Sequence, residues 1–170
     1  MRMNPSPFIS KLKSFFPIAE IACIAGFVLG FMLSKQDYTF GGDIVRYSLS
    51  VLAGIYFLTA YLPPDAPPSN EQDKPAGFLT LLGRTIAPKI LGIGSAVMVI
   101  GILFAVQQMK GSNEMLLIGS GSLAIASLVG LVSMATDETA RKILGPLLLR
   151  AVPLLVIGVY FLSNAPRVVE

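Results

Sequence analysis

PKILGIGSAVMVIGILFAVQQMKGSNEMLLIGSGSLAIASLVGLVSMA, residues 88–135, consists of two apolar runs joined by one short polar patch, Gln107 to Glu114. Each run is close to the roughly 20 apolar residues that a helix rising about 1.5 Å per residue needs to cross a hydrocarbon core about 30 Å thick. The stretch reads as a membrane-spanning helical hairpin. The rest of the chain is arranged around that reading.

Hydrophobic residues make up 54% of the 170-residue sequence and charged residues 14%, against roughly 25% charged in an ordinary soluble domain. Spans and short connections nearly use up these residues, leaving no room among them for a separate soluble catalytic domain. The net charge of +3 is small, and the basic residues flank apolar segments, which suits anionic lipid headgroups better than nucleic acid. Cys23 is the single cysteine and there is no histidine. An intrachain disulfide and a thiolate zinc cluster are therefore excluded, and the usual general base, metal ligand and haem ligand is missing. No metal or cofactor is expected.

From the N-terminus, Arg2, Lys11 and Lys13 precede the apolar stretch 15–34. That pattern also opens a signal peptide, but the apolar part runs too long and no polar mature region follows a small-residue cleavage site. It reads as an uncleaved first span. Ala22, Gly26 and Gly30 lie four residues apart and so fall on one helical face, where another backbone can approach closely. A second span is expected over 44–62, with Tyr47 and Tyr61 as interfacial anchors. Residues 63–76 are proline-rich and polar, an extended cytoplasmic linker. Residues 77–87 repeat Phe78, Leu82 and Ile86 every four positions. They read either as a short helix lying in the interface or as the first turns of the third span.

The hairpin supplies spans three and four, 88–107 and 115–135. In the fourth, Gly119, Ser122, Ala126, Gly130 and Ser133 follow 3, 4, 4, 3 spacing. One whole side of that helix is small or hydroxylated, as close packing in lipid requires. The rival reading is a polar pathway through Ser120, Ser122, Ser127 and Ser133, but serines readily bond back to their own helix. After the charged turn Asp137, Glu138, Arg141 and Lys142, a fifth span covers 143–163 and contains Arg150 and a helix-kinking Pro153.

Counting Lys and Arg on alternate sides of five spans gives eight on the N-terminal side and four on the other. This places the N-terminus in the cytoplasm. In that topology Glu20 and Arg150 lie at similar depth from the cytoplasmic end, so they are a candidate intramembrane ion pair. The bland alternative is that both snorkel to nearby headgroups.

Gly92-Ile93-Gly94 and Gly119-Ser120-Gly121 neither follow a strand nor open a soluble helix, so they are not phosphate loops. No Walker sequence or nucleophile elbow is present. The chain is expected not to be an enzyme.

Ile100-Gly101-Ile102-Leu103-Phe104, a short turn ending at Gly111, and Met115-Leu116-Leu117-Ile118-Gly119 resemble the transmembrane hairpin of the inner-membrane motor protein family of gliding motility and type IX secretion. The resemblance covers residues 88–135, about a quarter of the chain. It implies a bacterial inner-membrane protein related to that hairpin. It does not imply a motor, because the stretch matching the family's proton-coupling glutamate is Ser122-Leu123-Ala124-Ile125-Ala126 and has no carboxylate. Gly30 and Gly42 bracket the first turn roughly as Gly101 and Gly111 bracket the second, the trace of an internal repeat.

The expected molecule is an all-α, polytopic transmembrane bundle of about five spans forming a single membrane domain in the bacterial inner membrane. Its partners are the lipid bilayer and either another membrane protein or further copies of itself. Packing faces without catalytic equipment point to an assembly, scaffold or accessory subunit. The alternative is a small, self-associating transporter or channel built around Glu20 and Arg150.

Overall fold

The computed structural model describes residues 7–36, 38–62, 82–136 and 138–164. All of their regular structure is helical: α1 Pro7–Lys35, α2 Thr39–Tyr61, a π-helical turn Leu82–Ile86, α3 Ala87–Val106, α4 Ser112–Thr136 and α5 Glu138–Asn164. The five α-helices are each long and apolar enough to cross a membrane. The shortest, α3 with 20 residues, reaches about 30 Å at about 1.5 Å per residue. The fold is a polytopic helical bundle.

The chain divides into two compact units, Met1–Ile55 and Tyr56–Glu170. In the first, α1 and α2 are antiparallel neighbours joined by a turn too short to allow any other arrangement. The Gln36 and Tyr38 amides donate to the Leu33 carbonyl at 3.0 and 3.3 Å, and the Gly41 amide donates to the Tyr38 carbonyl at 3.0 Å. In the second, α3, α4 and α5 pack on one another, and the π-helical turn touches all three.

Several helices extend past the apolar runs that announce them. Helix α5 takes in Glu138, Arg141 and Lys142, which the sequence presents as a charged turn. The reason is local: Glu138 sits at the positive N-terminal end of the helix, and Lys142 lies one turn on, with its Nζ 4.0 Å from Glu138 Oε1. The proline-rich linker 63–76 and residues 77–81 lie outside the described residues. Of the segment with two readings, Leu82–Ile86 runs straight into α3 through Ile86, whose φ of −85° and ψ of −49° are already helical. Pro88 follows directly, and its ring nitrogen offers no N–H to the carbonyls of that preceding turn.

The turn between α3 and α4 closes with a Schellman arrangement. The Met109 amide donates to the Phe104 carbonyl at 2.8 Å and the Gln108 amide to the Ala105 carbonyl at 3.2 Å. The position that usually carries glycine is Gln108, at φ 53°, and Gly111 follows at φ 85°. Gln108→Gly should stabilise the protein by about 1 kcal/mol, the left-handed penalty less the entropy glycine adds to the unfolded chain. Thermal unfolding in detergent is the check; an unchanged or lower midpoint would contradict it. The suggested repeat does not extend to this turn geometry: Gly42 lies within α2 with nothing within 4 Å of where a Cβ would sit, whereas Gly111 occupies a left-handed turn.

The distribution of side chains is inverted relative to a water-soluble bundle. Six of the eight buried residues of α4 are small, namely Gly119, Ser120, Ala126, Ser127, Gly130 and Ser133. Its exposed large apolar side chains are Leu117, Ile118, Ile125, Leu128, Leu131 and Val132. On α1, Ile18, Ile21, Val28, Leu29 and Met32 are likewise exposed. Contiguous aliphatic surface on this scale has no place in water but matches hydrocarbon, where association rests on close packing of small residues. Length, composition and this inversion together define a multi-pass α-helical membrane protein.

Candidate functional site

On α1, Phe16, Glu20 and Gly30 are buried and Cys23 and Phe27 half-buried. Their 4, 3, 4, 3 spacing describes one seam, so Glu20 belongs to the protein-facing side of the helix. The Glu20 residue is 7% exposed, a buried position and not the surface one a snorkelling carboxylate takes. A carboxylate placed there within an apolar span is costly, which makes it the strongest functional candidate in the first unit.

Further along the same helix the small-residue face separates into two parts. Gly26 faces Ser48, whose Oγ lies 2.5 Å from where a Cβ on Gly26 would sit. Gly30 meets the α2 backbone, with Val45 N at 2.9 Å and the Gly41 carbonyl oxygen at 3.0 Å from the corresponding point. Ala22 is exposed and takes no part in this contact.

Arg150 lies in the second unit on α5. It is half-buried beside the inward-facing Leu148 and Ala151. Pro153 is exposed on the other side of an unbroken helix, with Pro146 two turns earlier. Lacking an N–H, Pro153 leaves the Leu149 carbonyl without its usual donor. Glu20 and Arg150 thus belong to different units, and their pairing is taken up as a proposal below.

The α4 face gathers around α3, α5 and the π-helical turn. A Cβ on Gly119 would lie 2.9 Å from Met98 Cα and 3.0 Å from Met98 N. Ser122 Cβ lies 3.4 Å from the corresponding point on Gly94, and Leu148 Cδ1 3.5 Å from that on Gly130. Ala126 is buried on the same side, and Ser133 is 1% exposed against Gly83.

The serines divide into two kinds. Ser95 Oγ donates to the Leu91 carbonyl at 2.7 Å and Ser120 Oγ to the Leu117 carbonyl at 3.1 Å, each bonding back to its own helix. Ser127 and Ser133 hydroxyls are buried with no partner among the described residues. Among those residues, no three His, Cys, Asp or Glu side chains come together as a metal site.

Sequence reasoning passed over the residues that answer this face. Met98, 0% exposed, has Gly119 of α4 against its backbone and Gly158 of α5 against its thioether. Gly94 and Gly101 flank it, and a Cβ on Gly101 would lie 3.0 Å from Leu116 N. Their signal was present: Gly94, Met98 and Gly101 share one helical face at 4, 3 spacing. Gly92 lies against Ala60 near the end of α2, whose Cβ is 2.7 Å from the point a new Cβ would take.

No protein-family model matches the chain, and comparison with curated proteins and with solved structures finds no match.

Proposed function

We propose that the protein is a non-enzymatic assembly, scaffold or accessory subunit of a bacterial inner-membrane complex, with its N-terminus in the cytoplasm. The observation that supports this is the filled interior of the second unit. Leu91, Met98, Leu116, Leu123 and Leu144 are fully buried there, and glycines bring the three helices together around Met98. A sealed bundle of that kind suits a part that holds its shape while its outer faces meet lipid or other proteins. Purification of the tagged protein from its native membrane in mild detergent tests the reading. A stoichiometric membrane partner supports it; recovery alone, as monomer or homo-oligomer, overturns it.

A second reading, a small transporter or channel, draws support from the buried Glu20. It pairs that carboxylate with Arg150 inside the membrane. Ion or solute flux in liposomes that is lost in Arg150→Ala would favour it. In stability measurements, Glu20→Ala and Arg150→Ala should then be strongly non-additive, whereas additive losses would dissolve the pair.

A further inference from the structure

We infer that the end of the second unit where α3 begins, α4 ends and α5 begins is a docking surface for the headgroup of an anionic phospholipid. Gly83 of the π-helical turn lies against Ser133 near the end of α4, and Ala140 Cβ in the first turn of α5 is 3.7 Å from where its Cβ would be. The three chain ends therefore converge on one surface. Lys89, Arg141 and Lys142, near the starts of α3 and α5, are exposed at this end. All three lie within the first five residues of helices long and apolar enough to span a membrane, near the headgroup margin.

Among the described residues, basic charge outnumbers acidic charge at this end. Lys89 follows the π-helical turn that runs into α3, and Arg141 and Lys142 directly follow the first turn of α5. The described carboxylate nearby is Glu138, 4.0 Å from Lys142; in sequence, Arg84 and Asp137 add one charge of each sign. The buried, unpartnered Ser133 hydroxyl lies beneath the same junction. At the opposite end of the unit the described residues near the α3–α4 turn carry one charge of each sign, Lys110 and Glu114. An excess of cations at the membrane margin is stabilised by an external anion. Among anions, a lipid phosphate is the one present at that depth in high concentration.

The test is thermal unfolding of the full chain in phosphatidylcholine bilayers with increasing phosphatidylglycerol. The midpoint should rise with phosphatidylglycerol, and the half-saturating fraction should increase about fivefold for each of Lys89→Gln, Arg141→Gln and Lys142→Gln, from about 1 kcal/mol per surface cation. These side chains are exposed, so the single variants should fold; Lys110→Gln is the control and should leave the response intact. Three results would overturn the proposal: no preference for phosphatidylglycerol over phosphatidylcholine, the same rise with inorganic phosphate, or an equal loss in Lys110→Gln.

Discussion

Gly119→Ala should destabilise the second unit by about 1–3 kcal/mol, the usual cost of overfilling a packed interior, while Gly121→Ala two residues away should stay within about 0.5 kcal/mol. The difference lies in what each new methyl meets. At Gly119 it would come 2.9 Å from Met98 Cα and 3.0 Å from Met98 N, whereas at Gly121 nothing lies within 4 Å. Backbone cannot rotate out of the way as a side chain can, so α3 and α4 would have to separate. Met98 is also held from the far side by Gly158, and moving it drives α3 into α5.

This predicts a contrast in double variants. Gly158→Ala conflicts with the end of the Met98 side chain and should be largely relieved by Met98→Ala. Gly119→Ala conflicts with the Met98 backbone and should not be relieved. Unfolding in mixed detergent, analysed as double-mutant cycles, reads both. Equal losses at Gly119 and Gly121, or equal rescue of Gly119 and Gly158, would show that the helices do not meet at Met98.

Gly30→Ala should weaken the first unit by a similar amount, about 1–3 kcal/mol. Gly30 and Gly41 face one another: a Cβ on Gly30 would lie 3.0 Å from the Gly41 carbonyl oxygen, and one on Gly41 would lie 2.9 Å from the Gly30 carbonyl oxygen. Two backbones at that separation leave no volume for a methyl on either side. Gly42→Ala and Gly54→Ala, with open space around both, are the internal controls and should be near neutral. Because α1 buries little else of its surface, the defect should appear as loss of α1–α2 association. Crosslinking between the two helices, or protease access to their turn, would report it. Association unchanged from that of the controls would remove Gly30 from the interface.

These two sites were not equally legible. The face Gly119, Ser122, Ala126, Gly130 and Ser133 could be read directly, because small residues repeating with the period of a helix need no partner to be recognised. Gly30 could be read for the same reason, but the same pattern also named Ala22, which is exposed. Periodicity gives the side of a helix and not the length along which a neighbour follows it. Glu20 was recognisable as an anomaly, a carboxylate in an apolar run; its burial on the seam with Phe16 and Gly30 was not, since Arg2, Lys11 and Lys13 nearby made an interfacial carboxylate equally consistent with the sequence. Charge also misled at Glu138 to Lys142, read as a turn though it is the start of α5, because polarity marks the membrane edge and a helix does not have to end there.

By itself, the sequence determined the solvent, the number of spans and the faces able to pack. These depend on apolar run length and on helical period, both of which are local along the chain. Only the tertiary structure decided that Met98 is the residue between α4 and α5, that Gly41 and not Gly42 answers Gly30, and that Gly83 lies against Ser133 and Ala140. In a hydrocarbon solvent, burial of apolar area does not select among alternative helix arrangements. The choice falls to sub-ångström backbone fit between residues distant in sequence, which no one-dimensional pattern contains.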